Sequence, residues 1–400
     1  MLWEELVRLW IIKLFHLFRV LCGYLLLLWR RVVPNKILFI TTRGSYNCNP
    51  RAIADEIIRQ NLPWELVWVI QRGDQKQLEQ FPPELKLVVR GSYEFYRELV
   101  TAHIWMDNSI NLFYLYPYKR KKQILFETWH GSIGLKRFET SSNKRWVRRA
   151  IACGKQTDYC ISNSTFETDL FCSTFWKSVQ ILEYGHARND VLFSGDIEKK
   201  RIMDQHIRKR YCIPKDVKMA LYAPTFRDDG MLDVYELDYD ALKFALETRF
   251  GGTWYILCRF HFETIRRLKN QIKQLKFSDF VINVSDYGDI QDFLCVCNVG
   301  LTDYSSWICD FVLTKRPAFI FATDLMNYYL ERDLYYPLET TPFPVARNNI
   351  ELVENILTFN TESYRTACET FIASKGCIDD GHAAERVVKK LKEIIEEKKR

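Results

Sequence analysis

Two doubly wound α/β domains facing a cleft are the fold class this 400-residue sequence predicts, and three observations lead there. From Pro34 onward, short apolar runs rich in β-branched and aromatic residues alternate with helix-patterned stretches, the mark of a parallel sheet covered on both faces. The alternation occurs twice, separated by the polar interval 194–216, SGDIEKKRIMDQHIRKRYCIPKD. Most runs end in polar residues, and in open α/β sheets ligands bind beyond the carboxyl ends of the strands. Length agrees, since domains average ~150 residues. Aromatic residues at 14% supply bulk for large cores, and no low-complexity tract suggests a collagen-like or disordered chain.

Residues 1–33, MLWEELVRLWIIKLFHLFRVLCGYLLLLWRRVV, form the most apolar stretch, yet Arg8, Lys13, His16 and Arg19 interrupt it. The longest uncharged run, Val20 to Trp29, is too short to cross a hydrocarbon core, which needs about 20 residues. Acidic Glu4 and Glu5 stand where a signal peptide carries basic residues, and no small-x-small cleavage site follows Leu28. Leu2, Leu6, Leu9, Trp10, Leu14, Leu17 and Phe18 recur at helical spacing, flanked by headgroup-seeking Trp3, Trp29, Arg30 and Arg31. The segment reads as an amphipathic helix lying in a membrane interface, with a helix packed on the protein's own core, or a short re-entrant segment at Val20 to Trp29, as the alternatives.

Residues 34–200 form the expected first domain. Its strands are KILFITT (36–42), ELVWVIQ (65–71), LKLVV (85–89), HIWMD (103–107), QILFETW (123–129), DYCISN (158–163) and VQILEYG (179–185), with helices at Arg51 to Gln60 and Tyr93 to Val100 among those between. Residues 201–400 form the second, with strands VKMALYAPT (217–225), TWYILCRF (253–260), FVINV (280–284), VGLTD (299–303) and AFIFA (318–322), then helices to the end.

The net charge of +7 is unevenly placed. Residues 1–50 carry +5 and residues 118–149 carry +8, which leaves the remainder at −6. Such local positive patches suit an anionic surface, whether membrane headgroups, a phosphorylated substrate or nucleic acid, with a solvated face that has no partner as the alternative. The twelve cysteines lie scattered, without CxxC pairs and mostly in apolar runs, as buried free thiols do in a reducing compartment. Cys295 and Cys297 have no further ligand at zinc spacing, and the DxD of Asp238 and Asp240 begins a predicted helix, so neither a metal nor a cofactor is expected.

The chemistry concentrates at strand ends. ETWHGSIGLKRFE (127–139) places His130 after a strand and before Gly131 and Ser132, where a neutral imidazole can take a proton from an attacking hydroxyl. LTDYSSWICDFVLTKRP (301–317) sets Ser305 and Ser306 at a helix start, where hydroxyls, free N–H groups and the helix dipole suit phosphate. YAPTFRDD (222–229) contributes Thr225 and Arg227, and CRFH (258–261) contributes Arg259 and His261.

These motifs, with YGHARND, VSDYGDI and DDGHAAERV, occur in the order found in the CDP-glycerol glycerophosphotransferases of teichoic acid and capsule synthesis, and the sequence resembles that family from about Lys36 to Val387. The resemblance implies a GT-B fold and a peripheral enzyme at the cytoplasmic face of a bacterial membrane. It further implies transfer of glycerol phosphate from CDP-glycerol to a hydroxyl of a lipid-linked polyprenyl acceptor or growing polymer, with release of CMP. By the same likeness His130 is the base, and His261 a second essential histidine near the donor phosphates. Trp129, Gly131, Ser132, Arg188, Pro224, Thr225, Arg227, Arg259, Ser285, Asp286, Asp303, Ser305 and Ser306 fall where donor contacts are expected. Nucleic acid is not an expected partner, and self-association is left open. The family's HGTP reads HGSIG here, its Pro before RND is Ala187, and no long domain precedes the pair, so the size suggests a primase or a compact capsule enzyme. A nucleotide-sugar glycosyltransferase of the same fold, a CDP-ribitol enzyme and a non-catalytic phosphate- or nucleic-acid-binding protein are the rival readings.

Overall fold

The computed structural model describes residues 25, 30–73, 75–111, 119–139, 144–193, 195, 197–225, 237–261, 264–265, 278–331 and 333–397. Nearly all of the expected interfacial helix at 1–33 lies outside these residues, as does Arg227.

Every run named above becomes a strand. The first sheet comprises β1 (Val33–Ile40), β2 (Glu65–Ile70), β3 (Lys86–Val89), β4 (Ala102–Asp107), β5 (Ile124–Glu127), β6 (Tyr159–Ser162) and β7 (Gln180–Glu183). The second comprises β8 (Lys218–Tyr222), β9 (Trp254–Cys258), β10 (Val281–Asn283), β11 (Val299–Thr302), β12 (Ala318–Phe321) and β13 (Val345–Ala346). β13 has no sequence signature, because two residues carry no periodicity. The strand orders are β3-β2-β1-β4-β5-β6-β7 and β10-β9-β8-β11-β12-β13, all parallel. Both orders reverse direction beside their first strand, opening a crevice between β1 and β4 and another between β8 and β11.

Alternation along the strands builds two cores on the first sheet. Ile37 and Phe39 face one side with Trp68, Ile104 and Phe126; Leu38 and Ile40 face the other with Val67, Trp105 and Leu125. A third core fills the second sheet around Met219, Leu221, Leu257, Phe293 and Ile320.

Two segments cross between the halves. The final helix, Ala383–Glu397, leaves the second sheet and packs Val387, Val388, Leu391 and Ile395 into the Ile37–Phe39 core. The second domain thus does not hold all of residues 201–400: the apolar stripe of this helix needs a partner face, and the first sheet supplies it. Asp190 anchors the crossing by accepting from Ala383 N and Ala384 N at 3.0 and 2.7 Å. In the other direction, Ile133 and Leu135 leave the first sheet and bury themselves in the second core. Their segment bridges residues 333–335 through Arg137 N to Asp333 O at 2.9 Å and Tyr335 N to Leu135 O at 3.1 Å.

Candidate functional site

Both crevices open into the space between the domains. A cavity of about 1240 Å³ is walled on the second domain by Pro224, Arg259, His261, Ser285, Asp286, Ser305 and Trp307, and on the first by Thr42, Arg43 and Asn47. The strand ends of β8, β9, β10 and β11 are stitched together by their own polar residues. Asp303, buried, accepts from Thr225 N at 2.8 and 3.0 Å, and Ser285 Oγ accepts from Phe260 N at 2.8 Å. Arg259 lies along the wall with Nη1 donating to Tyr287 O at 2.7 Å; its burial pulls the guanidinium pKa down. Asp286 turns outward to Tyr211 and Arg210, at 2.7 and 2.9 Å. Ser305 and Ser306 begin the five-residue helix Trp307–Phe311, and the Ser306 side chain makes no capping bond.

The His130 turn is built differently. Trp129 adopts a left-handed φ of +52° and sinks its ring edge-on against Trp176, with centroids 5.1 Å apart, while the His130 ring lies tilted against it at 4.5 Å. His130 Nδ1 donates to Asn108 O at 2.8 Å, since a carbonyl can only accept, so Nε2 carries the free lone pair. The imidazole keeps a face open to solvent but is hemmed in by the cleft walls. This loss of surrounding water pushes its pKa down to about 4 against the Asn108 bond, and the charges of Arg188, His186 and Lys136 act in the same direction. The ring is therefore neutral at physiological pH. Asn108 also ties it to the cavity: its Oδ1 accepts from Thr42 N at 3.1 Å, and Thr42 lines the wall. From the other side Lys136 Nζ reaches Thr225 Oγ1 at 3.2 Å.

Several residues expected to touch the donor are instead buried in the frame. Arg188 forks onto Asp310 at 3.0 and 3.2 Å, donates to Gly131 O at 2.6 Å and is closed off from solvent. Despite burial, Asp310 beside it raises its pKa and keeps it cationic. Ser132 is buried, its Oγ accepting from Asn163 Nδ2 at 2.9 Å, while the same amide reaches Asp379 at 2.8 Å. Trp129 is a core anchor. Gly131 serves through its carbonyl, and a Cβ there would stand 2.7 Å from the Trp129 indole nitrogen. Asp310 and Asp379 lay inside motifs already noted, SSWICDF and DDGHAAERV, but nothing in either motif marks a carboxylate as an interdomain partner. Among the described residues no cluster of His, Cys, Asp or Glu is arranged to hold a metal ion. Asp238 caps the helix Tyr239–Phe250, accepting from Ala241 N.

Residues 23–393 match the family model described as CDP-Glycerol:Poly(glycerophosphate) glycerophosphotransferase. The chain is 29% identical over 377 residues to the teichoic acid glycerol-phosphate transferase of Staphylococcus aureus, covering 89% of this chain and 92% of that one. It is 27% identical over 382 residues to the teichoic acid poly(glycerol phosphate) polymerase of Staphylococcus epidermidis, covering 89% of this chain but spanning only half that relative's length. Among solved structures, the wall teichoic acid polymerase TagF soaked with CDPG superposes with a TM-score of 0.78 at 27% identity, covering 92% of this chain and 91% of that one. The two parallel-sheet domains thus share the GT-B-like arrangement of TagF, and the family match runs through both of them. The chain belongs to the CDP-glycerol:poly(glycerophosphate) glycerophosphotransferase family.

Proposed function

We propose that the protein transfers glycerol phosphate from CDP-glycerol to a hydroxyl of a membrane-linked acceptor, in teichoic acid or capsular polymer synthesis. The observation that carries this reading is a neutral His130 whose Nδ1 proton is committed to Asn108, leaving Nε2 basic on a turn that Asn108 ties to Thr42 in the wall of a large cavity, lined also by Arg259, His261, Ser285 and Ser305. In the reaction, the acceptor oxygen attacks the glycerol-bearing phosphorus in line. The hydroxyl proton passes to His130 Nε2, the bond from that phosphorus to the bridging oxygen breaks, and CMP departs with the electron pair. Arg259, His261 and the Ser305 hydroxyl face the charge that moves onto CMP, and such a transition state needs positioning and hydrogen-bond donors more than covalent chemistry.

The membrane contact rests on residues 1–33 together with the helix Lys144–Gly154. That helix turns Trp146 and Val147 toward the core and exposes Lys144, Arg145, Arg148 and Ile151, a basic stripe with an apolar residue beside it. Among the described residues no helix is long and apolar enough to cross a membrane, and a peripheral attachment at the cytoplasmic face fits such a surface. Incubating the purified chain with lipid-linked acceptor and CDP-glycerol, CDP-ribitol or UDP-sugars, and scoring CMP against UDP, tests the function. CMP release from CDP-glycerol supports it. Release from CDP-ribitol alone reassigns the alditol, and UDP release makes the protein a glycosyltransferase.

A further inference from the structure

Two carboxyl groups with no part in the reaction above hold the turn that carries His130. Asp107 and Glu127 end the neighbouring strands β4 and β5, stand opposite each other in register and are fully buried. Asp107 organises its own loop: Oδ1 accepts from Ser109 N at 3.0 Å and from Asn111 Nδ2 at 2.8 Å, and its main-chain O accepts from Thr128 N at 2.7 Å. Glu127 spans two loops. Its Oε1 accepts from Trp129 N at 2.9 Å, and its Oε2 accepts from Ile110 N at 3.4 Å. One loop carries Asn108, whose carbonyl orients the imidazole, and the other carries His130 itself. The two residues it grips, Ile110 and Trp129, both sit at left-handed φ, +57° and +52°. Side-chain-bearing residues hold such conformations only where their surroundings over-determine them, and the branched Ile110 is the less tolerant of the two.

We propose that Glu127 is a positioning residue for His130: by bridging Ile110 and Trp129 it fixes the separation of the Asn108 carbonyl from the imidazole, so that Nδ1 keeps the proton and Nε2 remains the acceptor. The proposal rests on His130 being the base. Reach, rather than charge, is what the clamp requires. Burial and the neighbouring Asp107 carboxylate push the Glu127 carboxyl well above the usual carboxylate range, because two buried carboxylates side by side cannot both ionise. Glutamine keeps this length and one acceptor oxygen, enough for the shorter Trp129 N–H contact, but its amide nitrogen donates and cannot receive the Ile110 N–H, whereas aspartate is one methylene too short to reach either loop from the same place.

The test compares Glu127→Asp with Glu127→Gln in the full chain, reading steady-state CMP release from CDP-glycerol and the imidazole nitrogen shifts of His130 by NMR, assigned against His130→Ala. Glu127→Asp is expected to lower kcat at least about 10-fold with the CDP-glycerol KM within about 2-fold, since small misplacements of a reacting group cost turnover steeply. Its His130 signals should move from a single Nδ1–H tautomer toward a mixture. Glu127→Gln, which keeps the shorter Trp129 contact and loses only the longer Ile110 one, should largely keep the Nδ1–H signature and fall between the native enzyme and Glu127→Asp in turnover. Should Glu127→Asp fail to fold, Glu127→Met, which keeps length and volume but loses the acceptors, takes its place with the same expectations. A retained Nδ1–H tautomer in the shortened or acceptor-free variant, or a glutamine variant no better than the aspartate one, overturns the clamp. Unimpaired turnover in His130→Ala would remove the base assignment instead, while the tautomer readout would still decide what Glu127 does.

Discussion

The two histidines of the site stand in opposite surroundings. His130 is exposed at its outer face but anchored beneath: tilted against Trp129, hydrogen-bonded to Asn108, and followed by a strap whose Ile133 is buried in the other domain's core. Beneath that strap, the buried Arg188–Asp310 pair and the Asn163–Asp379 bond tie the turn to distant parts of the chain. His261, equally exposed, lies on the wall of the large cavity, among residues whose polar atoms are arranged along one domain's strand ends. The general base proposed for His130 must present one nitrogen at a fixed place, and crosslinks to both domains serve that role. The wall proposed to receive the donor must leave room, and its support stays local to the second sheet.

That contrast can be broken experimentally, beginning with the largest effect. His130→Ala should lower turnover by at least ~100-fold while CDP-glycerol affinity measured by calorimetry changes little, because a positioned base contributes 10²–10⁴-fold to the rate. Near-normal turnover would make both histidines wall residues. Arg188→Leu leaves Asp310 buried without its partner and should lower the thermal midpoint sharply, at about 3–5 kcal/mol, with His130 losing the support of the Gly131 carbonyl contact. An unchanged midpoint would show that the turn does not depend on the interdomain pair.

On the wall side the order of effects reverses. Ser305→Ala combined with Ser306→Ala should weaken CDP-glycerol binding by about 10-fold, the loss of one or two hydrogen bonds to phosphate, with the thermal midpoint nearly unmoved. Unchanged affinity would place the phosphates elsewhere on the cavity wall. The pH profile sharpens the comparison further. Because the folded His130 pKa lies near 4 and not at the ordinary 6.5, the ring takes a proton only as pH falls through about 4, and turnover should decline there. Between 6.5 and 4 the unfolded chain binds more protons on this ring than the folded one, so the same group works against stability as pH falls through that window. An acid limb at 6.5 would mean that the ring is better hydrated than its cleft suggests. The smallest effect belongs to the surface. Arg145→Glu with Arg148→Glu should weaken sedimentation with anionic vesicles by about 1 kcal/mol per residue, an effect erased at high salt. No change at low salt would assign the stripe to the phosphorylated acceptor instead.

Much of this was legible in the chain. The strand runs carry their own signal, since a β-strand buried on both faces is apolar along its length, as AFIF of β12 is. His130 and His261 stand out because strand ends in an open parallel sheet point at ligands, and the structure sets each just beyond such an end, after β5 and β9. Burial was harder to read. Arg188 and Ser132 have the chemistry of phosphate ligands, and no local pattern distinguishes an arginine aimed at solvent from one forked onto Asp310, 122 residues away. Glu127 looked like one more strand residue, because its two partners are backbone N–H groups, which have no sequence signature.

By itself the sequence determined the two sheets, their polar edges and the order of the motifs, for those follow from period-two burial and from residue chemistry at single positions. Tertiary structure alone decided which polar residues face the cavity and which lock the frame. It also decided that the last helix returns to the first sheet and that Ile133 crosses to the second. The physical reason is the same in each case: an apolar stripe or a buried charge specifies that it needs a partner, but only the packed chain determines which distant segment can supply one without leaving a cavity or an unpaired group.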